Sequence, residues 1–197
     1  MTERELVRLA KDGDERAFEQ LVTDNEKRIY NLCRRLAGNP EDAAELTQEA
    51  FLNAWRGLSG FQEGSTFSTW LYRLATNACM DFLRREKRRR SLSLTVSLDD
   101  EEEAVQVELP DERYAPEGEL ERVEQRQAIQ EGLRRLSEEH RQVLILRELN
   151  GLSYQEIARV LDLEEGTVKS RIARARGALR KILLEEGNFF RETASRT

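Results

Sequence analysis

The side chains able to carry covalent or acid–base chemistry are few in this 197-residue chain: two cysteines, Cys33 and Cys79, and one histidine, His140. Neither cysteine has a partner at CxxC or metal-ligand spacing, and both fall within helical hydrophobic patterns, so they read as small apolar residues. His140 lies in the polar stretch Ser137-Glu138-Glu139-His140-Arg141 and reads as a solvated residue near a helix start. Alone it supplies neither a metal cluster nor a Ser-His-Asp set. Carboxylates are abundant, yet no pair is placed in an apolar setting of the kind that separates two acid pKa values. The chain is therefore expected to have no catalytic residue, no metal and no cofactor, and not to be an enzyme.

Another chemistry is better provided for. Thr167, Lys169, Ser170, Arg171, Arg174 and Arg176 bring hydroxyl, ammonium and guanidinium donors within ten residues. Donors of these types presented by one helix suit base edges and phosphates of DNA. Val168, Ile172, Ala175 and Leu179 recur at i, i+4, i+7 and i+11 and give that helix a buried face. Thr167, Ser170, Arg174 and Lys181 then point away, with Lys169, Arg171 and Arg176 on the flanks. Upstream, Ser153 and Glu156 form a capping box, and Tyr154, Ile157, Ala158 and Leu161 make one apolar face. Asp162-Leu163-Glu164 turns the chain between the two helices, with Asp162 where a glycine is common. The whole is a helix-turn-helix over about 153–180.

The net charge of −6 hides a strong asymmetry. Residues 91–125 hold twelve acids against Arg113 and Arg122, a net of −10, which leaves +4 for the rest. Residues 61–90 and 151–184 are both net positive. A block of like charges resists packing, so an acidic linker is placed at about 91–120, between domains at 1–90 and 121–186, with a frayed tail at 187–197. Leu92, Leu94, Val96 and Leu98, then Val105, Val107 and Leu109, alternate with polar residues, as in a marginal hairpin or, preferably, an extended amphipathic tether.

Both domains read as all-α. Helices are expected at 3–11, 15–36, 40–57 and 67–89, then at 119–135, 137–150, 153–162 and 165–186. Asn39-Pro40-Glu41-Asp42 starts the third, with proline at a first helical position and acids where the helix dipole favours them. Phe51, Trp55 and Leu58 give it one apolar stripe, with Glu45, Gln48 and Glu49 mostly outside. The fourth buries Leu71, Leu74, Ala75, Ala78 and Phe82, and sets Thr69, Arg73, Thr76, Asn77, Met80 and Arg84 opposite. That outward face is polar in the middle and basic at its end. No segment is apolar enough for membrane insertion, and no signal peptide precedes the first helix, which makes the cytoplasm the expected location.

Three segments in order resemble one family. They are Asp42-Ala43-Ala44-Glu45-Leu46-Thr47-Gln48-Glu49-Ala50-Phe51-Leu52-Asn53-Ala54-Trp55, Phe67-Ser68-Thr69-Trp70-Leu71-Tyr72-Arg73-Leu74-Ala75-Thr76-Asn77, and Gly166-Thr167-Val168-Lys169-Ser170-Arg171. Together they resemble the extracytoplasmic-function (ECF, group 4) sigma factors of bacterial RNA polymerase, over residues 16–184. The resemblance implies a sigma-2 domain, a linker and a sigma-4 domain.

It further implies that core RNA polymerase is a partner through its beta-prime coiled coil and beta flap, with Glu45, Gln48, Glu49, Phe51 and Trp55 at contacting positions. Phe67, Trp70, Arg73, Thr76, Asn77, Met80 and Arg84, with the loop at 62–65, would hold the minus-ten element. For Phe67 and Trp70, stacking at the opening edge and core packing remain alternatives. The helix-turn-helix residues would read the minus-thirty-five duplex of promoter DNA. An anti-sigma factor is implied as a further partner, and the acidic block at 99–103 is expected to shield the basic faces in the free protein. A stand-alone helix-turn-helix regulator and a helical adaptor are the competing readings; residues 1–90 lack the strands of a receiver domain.

Overall fold

The computed structural model describes residues 1–62, 64–94 and 117–185. Every regular element among them is helical. The helices are α1 (Glu3–Lys11), α2 (Glu15–Ala37), α3 (Pro40–Gly57), α4 (Phe67–Leu94), α5 (Glu117–Arg135), α6 (Glu138–Leu144), α7 (Tyr154–Leu161) and α8 (Glu165–Glu185). A 3-10 turn, Leu58–Gly60, follows α3, and a π turn, Ile145–Leu149, follows α6. The alternating segment at 92–109 falls outside the described residues beyond Leu94, as do the acidic block at 99–103 and the tail at 187–197. Its first members, Leu92 and Leu94, belong to α4, which runs five residues past the expected end at 89.

The starts of the helices have local causes. Thr2 caps α1: its hydroxyl accepts from Glu5 N at 3.3 Å while Glu5 Oε2 accepts from Thr2 N at 2.7 Å. The bond from the Thr2 backbone N–H, above all, holds the Glu5 carboxyl below its usual range. Asp14 accepts from Arg16 N and Ala17 N at the start of α2. That helix ends at Gly38, whose φ of 95° is the left-handed conformation glycine adopts without strain. Asn39 caps α3 through Asp42 N at 2.8 Å, with Pro40 in the first turn, as the sequence implies.

The chain forms two compact units. The first holds α1 to α4, and residues 155–163 group with it. Its core is built on α2 packed against α3, α1 and α4. Leu21, Ile29, Leu32 and Cys33 of α2, Leu71, Ala75 and Cys79 of α4, and Ala43, Ala50 and Ala54 of α3 are all buried. Alanines at i, i+7 and i+11 make α3 thin on this side, so its neighbours approach closely. Each buried leucine or isoleucine contributes about 1.5–3 kcal/mol relative to exposure.

The second unit contains α5, α6, the π turn and α8. Ser137 caps α6 by accepting from His140 N at 3.4 Å, so His140 does stand at a helix start. One continuous helix was expected over 137–150, but α6 gives way at Ile145 to the π turn, closed by Asn150 N donating to Ile145 O at 3.0 Å. Val143, Leu144, Ile145 and Leu146 are four consecutive buried residues, more than one face of an α-helix can hide.

Candidate nucleic-acid interface

The donor face of α8 is ordered from within the helix. Ser170 Oγ donates to Thr167 O at 3.0 Å and accepts from Arg174 Nη2 at 3.2 Å, while Arg174 Nε donates to Ser170 O at 3.3 Å. Ser170 and Arg174 are exposed and Thr167 is half-buried. Opposite them Val168, Ile172 and Ala175 are buried, as their spacing requires. Leu179, expected among them, is only half-buried.

The flanking cations are engaged elsewhere. Arg171 pairs with Glu139 at 3.3 Å and its side chain is only 20% exposed, which ties it to α6. Arg176 sets Nε and Nη2 on Glu148 Oε1 at 3.0 and 2.6 Å. Lys169 pairs with Glu165 at 2.6 Å and lies 5.7 Å from the centre of the Tyr154 ring. Lys169 and Arg176 are held above their usual pKa by those carboxylates, so both stay fully charged. The Arg147 guanidinium covers the same Tyr154 ring at 4.7 Å and donates to Leu152 O at 2.8 Å, fixing the approach to α7. Sequence reasoning did not single out Arg147, Glu139 or Glu148.

Between α7 and α8, Asp162 takes the left-handed conformation at φ 55°. Aspartate enters that region more readily than most side chains, so the missing glycine does not prevent the turn. Leu163 N closes it on Ala158 O at 2.9 Å. In α7 the buried residues are Ile157 and Val160, whereas Tyr154, Ala158 and Leu161 are half-buried. The expected apolar face is thus rotated toward Val160.

Along α4 the structure divides the expected outward set. Arg73, Asn77 and Arg84 are exposed, in line with the basic residues Arg85 and Arg88 further on. Thr69, Thr76 and Met80 are buried at 4%, 1% and 6% exposure, against the expectation that they face out. The reason is packing on several sides: α4 meets α1, α2 and α3, so its buried sector is wider than a single apolar stripe. The widening takes in polar residues. Thr69 bonds the Thr66 hydroxyl at 2.8 Å, but Thr76 Oγ1 has no partner among the described residues. Leu74 and Phe82, expected in the core, are half-buried.

Phe67 is 1% exposed and clusters with Phe61 and the half-buried Trp70, the Phe61 and Trp70 centroids 4.9 Å apart. Of the two alternatives for Phe67, core packing is the one observed. Gly57 makes room for Trp70, since a Cβ there would sit 3.3 Å from its ring. The start of α4 is capped locally by Thr66, whose hydroxyl accepts from Thr69 N at 3.1 Å, and also from far away by Glu3, whose carboxylate accepts from Phe67 N at 2.9 Å and Ser68 N at 3.3 Å. No local signal reveals the cap from Glu3.

On α3, Glu45, Gln48 and Glu49 are exposed on one face. Leu52, one turn on, is 46% exposed among them and was not anticipated; its i+3 and i+4 spacing from Gln48 and Glu49 was the available signal. Trp55 is 40% exposed and leans on Phe18 at 4.8 Å, so it borders this face, while Phe51, at 8% exposure, is core and not an outward contact.

The cysteines are small buried residues, as expected, but they meet across α2 and α4. The neighbouring Cys33 thiol together with burial pushes the Cys79 thiol far above the ordinary range. Cys33, beside it, is drawn lower. Among the described residues no group of three His, Cys, Asp or Glu could hold a metal ion, and no helix is long and apolar enough to cross a membrane.

The sigma-70 region 2 family matches residues 21–89 and the sigma-70 region 4 family matches residues 126–179. Among curated proteins, the ECF RNA polymerase sigma factor SigW of Bacillus subtilis is 36% identical over 177 residues, covering 90% of this chain and 94% of SigW. The RNA polymerase sigma-H factor of Pseudomonas aeruginosa is 38% identical over 92% of this chain and 93% of its own length. The ECF sigma-E factor of Escherichia coli is 37% identical, covering 91% and 93%. Among solved structures, CnrH in complex with the cytosolic domain of CnrY aligns with a TM-score of 0.67 at 25% identity, over 94% of this chain and 99% of that one. RpoE of Bartonella quintana, in complex with the anti-sigma factor NepR, aligns at 0.62 and 25% identity, over 84% and 96%. With two sigma-70 regions in order and such relatives along nearly its whole length, the chain belongs to the extracytoplasmic-function sigma factors of the sigma-70 family.

Proposed function

We propose that the chain binds core RNA polymerase and directs promoter-specific initiation as a non-enzymatic factor. Residues 121–186 act as the sigma-4 domain on the minus-thirty-five duplex. Residues 1–90 act as the sigma-2 domain, which binds polymerase and opens and reads the minus-ten element, and 91–120 is the acidic linker. The observation that carries this reading is the pair of exposed donors Ser170 and Arg174, ordered by bonds to each other and to the Thr167 carbonyl of their own helix. Donors fixed before binding lose little entropy on meeting a major groove. Lys169 and Arg176, charged and exposed at the flanks, suit phosphates. Arg171 is a positioning residue, held by Glu139.

In the sigma-2 domain, Asn77 offers an amide and Arg73 and Arg84 offer cations to unpaired bases and their backbone. Thr76, Met80 and Phe67 shape α4 beneath them, and the partly exposed Trp70 is the aromatic able to meet the opening edge. Glu45, Gln48 and Glu49, with Leu52 and Trp55 as apolar anchors, suit a basic polymerase surface such as the beta-prime coiled coil; the beta flap is the sigma-4 counterpart. An anti-sigma factor is a natural further partner, since both structural relatives were solved with one or with a partner's cytosolic domain. A factor that works on polymerase and promoter DNA acts in the cytoplasm.

Transcription by purified sigma-free core polymerase on fragmented source DNA tests the proposal. Starts that depend on the protein and share two spaced upstream elements are expected. No protein-dependent starts, with active core and soluble protein, would shift the reading to a stand-alone helix-turn-helix regulator.

A further inference from the structure

Within the second unit, α5, the π turn and the later part of α8 enclose a groove of about 230 Å³ whose walls are almost entirely apolar. Ile129, Leu133, Leu144, Leu149, Leu179 and Leu183 line it. Of these, Ile129 and Leu149 are 42% and 40% exposed. Large apolar side chains left in water singly need no explanation, but a set gathered at one groove marks a docking face. None of the proposed DNA contacts except Arg176 lines it.

The sequence supplies an occupant of matching chemistry at matching reach. Phe189 and Phe190 are the only aromatic residues after Tyr154, and in sequence they stand between the polar stretches Glu186-Gly187-Asn188 and Arg191-Glu192-Thr193. Phe189 lies four residues beyond Glu185, the last residue of α8. Four residues span up to roughly 14 Å. At 1.5 Å of rise per residue, Leu183 lies only about 3 Å and Leu179 about 9 Å back along the helix axis from residue 185. Gly187 stands between, the residue type that ends helices and reverses the chain. The size also fits, because an apolar cavity of ~150 Å³ already accepts a benzene ring.

We propose that Phe189 and Phe190 fold back onto this groove, one phenyl ring entering between Leu133, Leu144 and Leu183 and the other covering the exposed Ile129 and Leu149. The tail is then an intramolecular plug, and any protein partner that seats on the same face must displace it. The inference does not depend on the promoter-reading proposal.

The test uses the full chain with a spin label on Ser195→Cys, the two native thiols being buried, and isotope-labelled isoleucine and leucine methyl groups. Several-fold loss of methyl signal at Ile129, Leu133, Leu144, Leu179 and Leu183 is expected, with recovery when Phe189→Ser and Phe190→Ser are added. The double variant should also bind an environment-sensitive hydrophobic dye several-fold more strongly, at an unchanged melting temperature of the first unit. No signal loss, or equal loss with and without the phenylalanines, would overturn the proposal. So would loss that arises only when spin-labelled, isotope-unlabelled protein is mixed with isotope-labelled protein, because a second copy would then be the occupant.

Discussion

Thr76 offers the sharpest test of how α4 is oriented, because its hydroxyl is buried at 1% exposure and has no hydrogen-bond partner among the described residues. A buried hydroxyl left unpaired costs about 1–3 kcal/mol. Thr76→Val replaces it with a methyl group, keeps the β-branch and changes helix propensity little. Part of the gain is offset by the slightly larger methyl in a packed site, so a net stabilisation of about 1 kcal/mol is expected. For a unit of this size that raises the melting temperature by about 4–8 °C. Both tryptophans, Trp55 and Trp70, lie in the first unit, so intrinsic fluorescence during heating or urea titration follows that unit alone.

Transcription separates the structural role from a reading role. If Thr76 is core, Thr76→Val keeps promoter opening intact while stability rises, and Thr76→Ala loses stability through the missing methyl. A Val variant that melts below the parent would mean the hydroxyl makes a stabilising bond. A Val variant that folds normally yet fails to open promoters would mean the hydroxyl reaches DNA, and the burial argument would be refuted.

Four further outcomes are expected. Arg174→Ala should lose about 1–3 kcal/mol of discrimination between correct and altered upstream elements in a binding titration, whereas equal weakening on every sequence would make Arg174 a phosphate contact. Trp55→Ala should weaken binding to core polymerase by about 2 kcal/mol, roughly 30-fold, and unchanged affinity would remove it as an anchor. Neutralising Asp99, Asp100, Glu101, Glu102 and Glu103 should raise affinity for nonspecific DNA at low salt, and no change would sink the shielding idea. Because the Cys79 thiol is raised in the fold, the unfolded chain loses that proton first, near pH ~8.5. Through Cys79, stability falls as pH rises above that value, while the lowered Cys33 acts in the opposite sense below it; Cys79→Ala should flatten the alkaline decline in urea midpoints measured from neutral to alkaline pH, and an unaltered slope would refute the assignment.

What was legible in the sequence is what a helix decides by itself. The Asn39-Pro40 start, the helix start near His140 and the buried face through Val168, Ile172 and Ala175 depend on neighbours three to seven residues away, and the structure reproduces them. The errors lie where a helix has several neighbours. A single-stripe reading suits a helix packed on one side, but α4 packs on three others, so Thr69, Thr76 and Met80 went inside. Partners distant in sequence were invisible for the same reason: Glu3 caps α4 from 64 residues away, Arg176 finds Glu148 across 28, and Cys33 meets Cys79 between helices. Leu52 was missed although its spacing from Gln48 and Glu49 puts it on their face, because a single leucine outside the apolar stripe does not stand out by itself.

The two arginines that flank the Ser170 and Arg174 donors show how these levels combine. Arg176 and Glu148 form an exposed pair, at 55% and 45% side-chain exposure, of the kind that contributes little to stability. Exchanging that carboxylate for a phosphate therefore costs little, and a duplex with its dense negative charge supplies the better partner. Arg171 is different, because its 20% exposure binds it to Glu139 and so to the body of the unit. Pulling it out would expose the stem it packs and leave α8 less firmly seated. On the proposed reading, the pre-ordered Ser170 and Arg174, bonded to each other and to the Thr167 carbonyl, are held in place by Arg171, and Arg176 exchanges one anion for another. That division of labour is set by burial, since chemically the two arginines are the same.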